Sequence, residues 1–435
     1  LHIGGLRCAL FNFIFARQHK GCFLLRIEDT DAQRSLPIYT QGIIDAFAWC
    51  GMASDEPLLF QSERKSIYQK HLDVLIEKGF AYWVEELNEE TGLFSLVCKI
   101  NVKKYGRSEI AFNDVICGHI VFNIQELEDF IIVRSDGTFL YNFVVVVDDI
   151  LMNISHVIRG QEHISNTPKQ LLLYEGIGAV PPIFAHLPLI MGQDGKKLSK
   201  RDAATAVVDY KYEGFLPEAL CMYLIRLGWS YKDQEIFTDE QLQELFRLED
   251  VHGSSAMFDI KKLESINNYY IKKYSAEYIY NYCQSNGIFW VKEETLFSKD
   301  KIIRLMSLYK DRMTTLKELY NHVEGVLHGP SSYTIYQDDF YWAVKNSFLQ
   351  WGYVFINECK ALHISTENEY KSFCEAFVVK HGIDKKLFFT SLRYALFNVL
   401  HSPSVFSIMA ILGAHECIKR CEECLVFLKN VVKND

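Results

Sequence analysis

Two short segments carry residue types that could act on a phosphorylated substrate. The first is His2-Ile3-Gly4-Gly5, which directly precedes a pattern of helical period from Leu6 to Gln18. A helix N-terminus offers unpaired backbone amides and a favourable dipole to phosphate, and glycines let a nucleotide approach the backbone closely. This segment therefore predicts a nucleotide site at a helix N-terminus, although alone it also fits an ordinary glycine turn.

The second segment is a basic loop far along the chain, Gly195-Lys196-Lys197-Leu198-Ser199-Lys200-Arg201. Its ammonium groups are suited to neutralising the negative charge that develops on a departing pyrophosphate. Considered alone, the segment fits a solvated basic surface loop equally well.

The elements around these motifs predict an α/β fold. The helical pattern from Leu6 to Gln18 is followed by an apolar run of strand length, Cys22 to Ile27, and by helical patterns at Thr40 to Cys50 and Ser62 to Glu77. Strand and helix alternate again from Val157 to Pro188. The two blocks together predict one Rossmann-type parallel α/β domain that is interrupted by an insertion.

The insertion and the second half of the chain have different patterns. From Phe80 to Asp148, β-branched and aromatic residues alternate, Asp136-Gly137 is a turn signal, and the apolar run Phe139 to Val147 is typical of a strand. This segment predicts an α+β module. Beyond about Leu216 the pattern is almost entirely helical, which predicts an all-α region.

Composition limits the class of protein. A chain of 435 residues corresponds to roughly three domains. Its longest apolar runs, such as Phe143 to Val147 and Leu187 to Met191, are too short to cross a bilayer, so no membrane association is expected. Twelve scattered cysteines without a disulfide framework indicate a reducing cytoplasm. The net charge of -9 argues against a wholly basic nucleic-acid binder but not against local basic patches.

Together, in this order and on either side of an interrupted α/β pattern, the two motifs resemble the signatures of class I aminoacyl-tRNA synthetases. Their variants, ending in Gly5 and Arg201, look like those of the bacterial-type glutamyl branch. Further segments similar to that branch run through most of the chain: Arg26-Ile27-Glu28-Asp29-Thr30-Asp31, Gln61-Ser62-Glu63-Arg64, Tyr141-Asn142-Phe143, Val146-Val147-Asp148-Asp149, Val157-Ile158-Arg159-Gly160-Gln161-Glu162, Leu216-Pro217-Glu218-Ala219-Leu220 and Arg226-Leu227-Gly228-Trp229.

The resemblance implies activation of L-glutamate by ATP with Mg²⁺, followed by transfer of the glutamyl group to tRNA(Glu), and possible misacylation of tRNA(Gln) is left open. The glutamate pocket would consist of Glu28 facing the amino group, Tyr141 orienting the amino acid and Arg159 pairing with a carboxylate. The implied ATP site is larger and consists of His2, Gly4, Gly5, Glu162, Lys197, Ser199 and Lys200. Among these, His2, Lys197 and Lys200 are the expected catalytic residues.

The resemblance also implies a division of the chain. Residues 1–79 and 146–230 would form the catalytic domain, 80–145 an acceptor-stem-binding module, 231–305 a helical stem-contact domain and 306–435 a helical anticodon-binding domain. Within the inserted module, four basic residues are expected to contact tRNA phosphates, namely Lys99, Lys103, Lys104 and Arg107. A cytoplasmic monomer is expected.

Two groups of cysteine and histidine residues have spacing that partly matches a zinc site. Cys98, Cys117 and His119 in the insertion offer only three ligands for a tetrahedral ion. Near the end of the chain, His415, Cys417, Cys421 and Cys424 have helical spacing, which places the three cysteines along one buried helix face, so no zinc is expected.

Three alternatives remain at this point. A glutaminyl-tRNA synthetase would carry β-barrels after the catalytic motifs, and a shortened paralogue that glutamylates a modified tRNA base would lack an anticodon region. The third is a non-catalytic tRNA-binding protein, since Leu1-His2 starts where the family has a preceding strand with an Arg-x-Ala-Pro-Ser-Pro-Thr-Gly segment. We therefore expect the 435-residue chain as written to be an N-terminally truncated form that does not charge tRNA until those upstream residues are restored.

Overall fold

A computed structural model describes residues 1–30, 36–88, 93–196, 198, 206–290, 297–334 and 339–432 of the chain. The chain divides into two compact units. The first comprises Leu1–Lys211 and Pro217–Leu263, and the second comprises Tyr212–Leu216 and Glu264–Asp435. Among the described residues, no helix combines the length and the apolar character that crossing a membrane requires.

The first unit begins as an alternation of helices and short parallel strands. Its elements are α1 (Ile3–Gln18), β1 (Arg26–Ile27), α2 (Pro37–Trp49), β2 (Leu59–Phe60) and α3 (Lys65–Glu77), and β1 pairs with β2 in parallel. The three helices are confirmed, but the strand predicted from Cys22 to Ile27 is limited to its last two residues. The backbone amides of Phe23 and Leu25 donate to the side chains of Asp55 and Ser54, which replaces a strand ladder there.

In its described residues, 80–88 and 93–145, the insertion contains five strands in two groups. They are β3 (Ala81–Asn88), β4 (Leu93–Ile100), β5 (Glu109–Asp114), β6 (Gly118–Asn123) and β7 (Ile131–Val133). An antiparallel sheet is formed by β3, β4 and β7, whereas β5 and β6 form a separate antiparallel hairpin.

After the insertion the parallel pattern resumes. The elements are α4 (Tyr141–Leu151), β8 (His156–Gly160), α5 (Thr167–Ile177), β9 (Ile183–Leu187) and β10 (Ile190–Met191). Strands β8 and β9 pair in parallel over their whole length, and β5 joins β9 in parallel where Asp114 pairs with Phe184. The resulting sheet has the order β6-β5-β9-β8, so a hairpin of the insertion extends the parallel pair. The predicted parallel α/β domain with an α+β insertion is confirmed.

One element of the prediction is wrong. The apolar run Phe139 to Val147 is not a strand, because helix α4 begins at Tyr141. Side chains Phe143 to Val147 are all buried, so this part of the helix has no polar face that would reveal a period of 3.6 residues. A short continuous apolar run does not distinguish a buried strand from a buried helix, and packing in the core overrides the strand preference of valine.

The chain continues through α6 (Val207–Tyr212), α7 (Pro217–Arg226), α8 (Asp239–Leu245), β11 (Ala256–Met257) and α9 (Ile260–Lys273). Strand β11 pairs in parallel with β10. The second unit then follows with α10 (Ala276–Ser285), α11 (Lys299–Tyr309), α12 (Leu316–His328), α13 (Asp339–Lys360), α14 (Glu367–His381), α15 (Lys385–Phe397), α16 (Val405–Leu412) and α17 (Ala414–Val432). In the described part of this unit all regular elements are helical, which confirms the predicted all-α region.

The helical unit is tied together by a buried arginine. The Arg420 side chain on α17 is 1% exposed and pairs with Glu416 at 2.7 Å. Its terminal nitrogens donate to the carbonyls of Val326 and Leu327 at the end of α12 and of Leu396 at the end of α15. The last carbonyls of a helix lack partners within the helix and carry its partial negative charge, so one guanidinium satisfies two helix ends.

We predict that Arg420→Met destabilises the helical unit by about 3–5 kcal/mol, because it leaves buried carbonyls and Glu416 without their donor. Hydrogen exchange measured by mass spectrometry should show faster exchange in α12, α15 and α17. The matched control is Lys419→Met, an exposed neighbour whose weak ion pair should change stability by less than about 0.5 kcal/mol. Equal protection in the two variants would contradict this role of Arg420.

Candidate active site

The first motif forms the N-terminus of α1. His2 is the N-cap residue, and its Nδ1 accepts a hydrogen bond of 3.0 Å from the amide of Gly4. A Cβ atom at Gly4 would lie 3.3 Å from His2 Nδ1, and one at Gly5 would lie 3.2 Å from Leu1 Cδ1. Glycine therefore keeps this helix start compact, and the exposed His2 and Gly5 leave it open to a ligand. Such a terminus suits an anion.

Helix α1 is fixed from below by polar side chains. The buried Arg7 donates to the carbonyls of Leu227 and Pro188, and Asn12 donates to the carbonyl of Ile158 on β8 at 2.8 Å. These bonds attach α1 to β8, to the residue that follows β9 and to the residue that follows α7. They thereby fix the position of the helix that begins after His2.

The second motif is only partly described. Lys197, Ser199 and Lys200, all predicted to bind ATP, lie outside the described residues, and nothing is stated about their structure. Both flanks of residues 199–205 are described. Leu198 is buried and its amide bonds to the carbonyl of Ile190 on β10. Ala206 forms a bridge with His2, and the amide of Val207 donates to the carbonyl of Leu1 at 2.9 Å. The chain after the basic loop is thus paired with the first motif.

Glu162 follows β8 and is exposed. Its carboxylate covers Gly160, where an added Cβ would come 2.2 Å from a carboxylate oxygen. Glu162 also acts electrostatically on Arg7 and Cys8 of α1. The structure therefore brings Glu162 near the first motif.

The three predicted glutamate-binding residues lie near one another and line what we call the candidate glutamate pocket. Burial raises the pKa of the Tyr141 hydroxyl, the charge of Glu28 raises it further, and Arg159 opposes this shift. The three side chains are therefore close enough to influence each other's charge. Tyr141 is the first residue of α4, Glu28 follows β1 and Arg159 lies on β8, so separate elements converge here.

Arg159 has an unusual set of partners. Its Nε donates to His186 at 3.1 Å, and its terminal nitrogens donate to Gln170, Thr167 and the carbonyl of His163. Every acceptor recorded for it among the described residues is neutral. Burial lowers the pKa of Arg159, and Tyr141 and Asp149 counteract this. A part-buried guanidinium that is fixed by neutral groups retains its charge for an anionic ligand.

The two acidic residues near Tyr141 and Arg159 differ in how strongly they are hydrogen-bonded to the protein. Asp149 accepts from Arg26 at 2.7 Å and from Tyr174 at 3.2 Å. Glu28 has a weaker contact with Arg26 at 3.4 Å, and its side chain is 44% exposed. Desolvation by the surrounding protein raises the pKa of Glu28, which Arg26 partly offsets. Glu28 is thus the carboxylate with capacity left for a ligand's ammonium group.

A fully buried acid lies next to Asp149 in the sequence of α4. Asp148 is fully buried on α4 and accepts hydrogen bonds from Gln61, Arg64 and Tyr68 at 2.8–2.9 Å. Asp148 and Gln61 lie in segments that resemble the glutamyl branch, but the resemblance implied no role for either residue. An aspartate at the end of an apolar run was the available signal, because such a side chain needs buried donors.

The four basic residues of the insertion are not equivalent. Lys99 forms an ion pair with Glu86, and Arg107 forms one with Glu175. Lys103 and Lys104 are exposed, and no ion pair is recorded for either within the described residues. Lys103 and Lys104 are therefore more available for a contact with phosphate than Lys99 and Arg107, which are already paired with carboxylates.

The cysteine groups differ in burial. Cys98 is buried in β4, whereas Cys117 is exposed and its thiol contacts the carbonyl of His186. The side chains of Cys417, Cys421 and Cys424 are buried, as predicted for one apolar face of α17. Among the described residues, no three His, Cys, Asp or Glu side chains stand in a group that could hold a metal ion.

Comparisons with known proteins agree over almost the whole chain. Residues 1–93 and 95–265 match the family described as "tRNA synthetases class I (E and Q), catalytic domain", and residues 274–425 match "Anticodon binding domain". "Glutamate--tRNA ligase 2" of a Nitratiruptor species is 37% identical over 451 residues, which cover 98% of this chain and 96% of that relative. "Glutamate--tRNA ligase" of Lawsonia intracellularis is 36% identical over 450 residues, with 97% and 96% covered.

A solved structure is similar as well. The crystal structure of a glutamate tRNA ligase from Elizabethkingia meningosepticum in complex with its amino acid superposes with a TM-score of 0.83 at 28% identity. The match covers 98% of this chain and 97% of that one.

Proposed function

The chain belongs to the class I tRNA synthetases of the glutamate and glutamine group, and from this premise we propose that it is a glutamate–tRNA ligase. The observation that carries the choice of amino acid is Arg159, a part-buried guanidinium whose recorded protein acceptors are all neutral. A carboxylate is the counter-ion favoured by a guanidinium whose protein partners are all neutral. Glutamate has a side-chain carboxylate, whereas glutamine has a neutral amide in its place.

The proposed reaction has two steps. A carboxylate oxygen of L-glutamate attacks the α-phosphorus of ATP, a C–O–P linkage forms, and the bond to the β-phosphate breaks to release pyrophosphate. A ribose hydroxyl at the tRNA terminus then attacks the glutamyl carbonyl, and AMP leaves. Mg²⁺ accompanies the nucleotide, as in class I synthetases generally. No protein nucleophile is required, so the protein contributes position and charge.

The residues are assigned to these steps as follows. Glu28 receives the ammonium group of glutamate, Tyr141 orients the amino acid and Arg159 binds the side-chain carboxylate. The ATP would lie at the start of α1, held by His2, Gly4 and Gly5, with Glu162 at the ribose. Lys197, Ser199 and Lys200 would close on the phosphates. These assignments rest on the family resemblance and on the shared pocket described above.

The tRNA would be bound by the insertion and by the helical part of the chain. We assign the acceptor end to residues 80–145, the stem to 231–305 and the anticodon to 306–435, in a cytoplasmic monomer. Exposed Lys103 and Lys104 are the strongest candidates for phosphate contacts, and Lys99 and Arg107 would first have to leave Glu86 and Glu175.

Charging assays test the function. The full-length protein with ATP and Mg²⁺ should attach radiolabelled glutamate to purified tRNA(Glu), and Lys200→Ala should lower the turnover about 100- to 1000-fold, since it removes charge needed mainly in the transition state. Lys70→Ala, which removes an exposed lysine of α3, is the control and should leave turnover unchanged. No charging by the full-length protein, including any residues encoded before Leu1, would refute the proposal. An unchanged turnover of Lys200→Ala would refute the role of that loop.

The same assay with purified tRNA(Gln) decides the range of tRNA substrates. Transfer of glutamate to tRNA(Gln) would establish a non-discriminating enzyme, and charging of tRNA(Glu) alone a discriminating one. Transfer of glutamine to tRNA(Gln) would instead support the glutaminyl alternative.

The role of Arg159 is tested by Arg159→Lys. Lysine keeps the charge but loses the planar fork, so the KM for glutamate should rise about 10- to 100-fold, as expected for the loss of a hydrogen bond to a charged group. The KM for ATP should stay within about twofold. The control is Arg134→Lys at an exposed arginine after β7. A glutamate KM that is equal in the two variants would contradict the assignment.

We also propose that the protein holds no structural zinc, because Cys98 is buried in β4 while Cys117 is exposed and contacts a backbone carbonyl. Elemental analysis of the purified protein should find less than about 0.1 zinc per chain. One zinc per chain, lost on Cys98→Ser or Cys117→Ser, would contradict this.

A further inference from the structure

A buried aspartate and histidine lie behind the glutamate pocket and have no assigned role. His186 on β9 is fully buried, and Asp114, the last residue of β5, is 4% exposed. His186 Nδ1 lies 2.6 Å from Asp114 Oδ2. Although burial alone would raise it, hydrogen bonds from His186 and from backbone amides lower the pKa of Asp114 below its usual value. Asp114 is therefore a carboxylate acceptor.

The second nitrogen of this histidine faces the proposed substrate arginine. The Nε of Arg159 lies 3.1 Å from His186 Nε2. An arginine Nε is always protonated and only donates, so His186 Nε2 must accept. The ring proton must then be on Nδ1, where it is donated to Asp114. The geometry thus selects one tautomer of a neutral histidine.

Asp114 is itself fixed from one side. Its Oδ1 accepts from the backbone amides of Ile116, Cys117 and His186 at 2.8–3.2 Å. The first two belong to the β5–β6 turn of the insertion, and the third belongs to β9, which pairs with β5 at this point. The carboxylate therefore sits at the junction of the insertion with the parallel strands, with only Oδ2 left for the imidazole.

We propose that Asp114 and His186 are positioning residues that set the plane of the Arg159 guanidinium for the side-chain carboxylate of glutamate. This inference rests on the proposed function. Gln170 and Thr167 hold the terminal nitrogens of Arg159, and Gln170 is held in turn by Asn142 at 3.1 Å. His186 is the partner of Nε and lies 3.3 Å from the Thr167 hydroxyl, so losing its acceptor nitrogen removes one of the contacts that fix the guanidinium plane.

The chain of bonds Asp114–His186–Arg159 also connects the proposed acceptor-end module to the amino acid pocket. A displacement of the β5–β6 turn would move Asp114, and the imidazole would carry this to Arg159.

The variant Asp114→Asn tests the proposal because the amide can be placed in only one way. Three backbone donors require oxygen at the Oδ1 position, so the amide nitrogen must face His186 Nδ1 and donate to it. The imidazole is then forced into the other tautomer, with an N–H directed at the N–H of Arg159. We expect the KM for glutamate in tRNA-dependent pyrophosphate exchange to rise about 10- to 100-fold. The KM for ATP should stay within about twofold.

Asp129→Asn is the matched control. Asp129 also lies in the insertion and accepts from a backbone amide, that of Val102, and from a side chain, that of Tyr82. It has no contact with Arg159, so its glutamate KM should equal that of the unmodified protein. If Asp114→Asn raises the KM values for glutamate and ATP equally and lowers the unfolding temperature, the pair is structural and the proposal is overturned.

A double-mutant cycle isolates the route through Arg159. Lysine at position 159 has a methylene where arginine has its Nε–H, so Asp114→Asn should add less than about twofold to the glutamate KM of Arg159→Lys. Multiplicative effects of the two substitutions would overturn the proposal.

A second pair of variants decides the matter if Asp114→Asn does not fold. His186→Gln can place an amide oxygen near the Nε2 position and keep an acceptor for Arg159, whereas His186→Asn reaches only the Nδ1 side. The glutamate KM should rise at least about fivefold more in His186→Asn than in His186→Gln, because only the asparagine variant loses the acceptor for Arg159 Nε. Equal values would overturn the role of Nε2.

A spectroscopic measurement separates failure of this inference from failure of the proposed function. In protein labelled with ¹⁵N-histidine, the NMR signals absent from His186→Gln belong to His186. They should report a proton on Nδ1, and one on Nε2 in Asp114→Asn. Nε2 protonation in the unmodified protein would overturn the inference even if tRNA(Glu) is charged. Absence of charging with Nδ1 protonation would refute the proposed function and leave the tautomer geometry standing.

Discussion

The proposed pocket depends on one constraint, which is that the part-buried Arg159 is fixed without a carboxylate in contact with it among the described residues. Burying an unpaired charge is costly, and most proteins neutralise an arginine with an acid. Here Arg159 is held by the neutral groups of His186, Gln170 and Thr167. The nearby acid Asp149 is occupied by Arg26 and Tyr174. Asp149 therefore acts on Arg159 through its charge alone, and a carboxylate in direct contact is what the proposed glutamate would supply.

The framework around this cation keeps the other charges apart. Asp148 and Asp149 are adjacent in sequence, yet Asp148 accepts only from groups on and next to α3, while Asp149 accepts from Arg26 and Tyr174. Successive residues of a helix point in directions about 100° apart, so one helix turn sends the two carboxylates into different networks. The valines that precede them fill the core, and α4 can therefore carry two acids into the interior without placing either against Arg159.

The sequence was sufficient for the order of the elements and for the fold class. His2 at a helix start, the parallel strands and the helical second half all follow from local patterns that are visible within a short window. The run Phe139 to Val147 was misassigned because complete burial removes the periodicity on which such assignments depend. The ion pairs of Lys99 and Arg107 could not be predicted from the sequence either. A basic residue near other basic residues gives no indication that an acid lies opposite it on a neighbouring strand or helix.

Residues 114 and 186 show most clearly what local patterns leave out. They are 72 positions apart, one ends a hairpin strand of the insertion and the other lies within an apolar strand, and neither segment has a recognisable ligand spacing. Only the pairing of β5 with β9 brings them together. At position 186 the requirement is one donor and one acceptor on a rigid ring, pointing in different directions inside a dry core. Lysine offers no acceptor, and a flexible amide would lose rotamer entropy to hold both bonds. A neutral histidine meets the requirement, but only while an acceptor such as Asp114 stabilises one tautomer. The buried acid is therefore the condition for a neutral partner at Arg159, and through it for a guanidinium that has no carboxylate contact among the described residues.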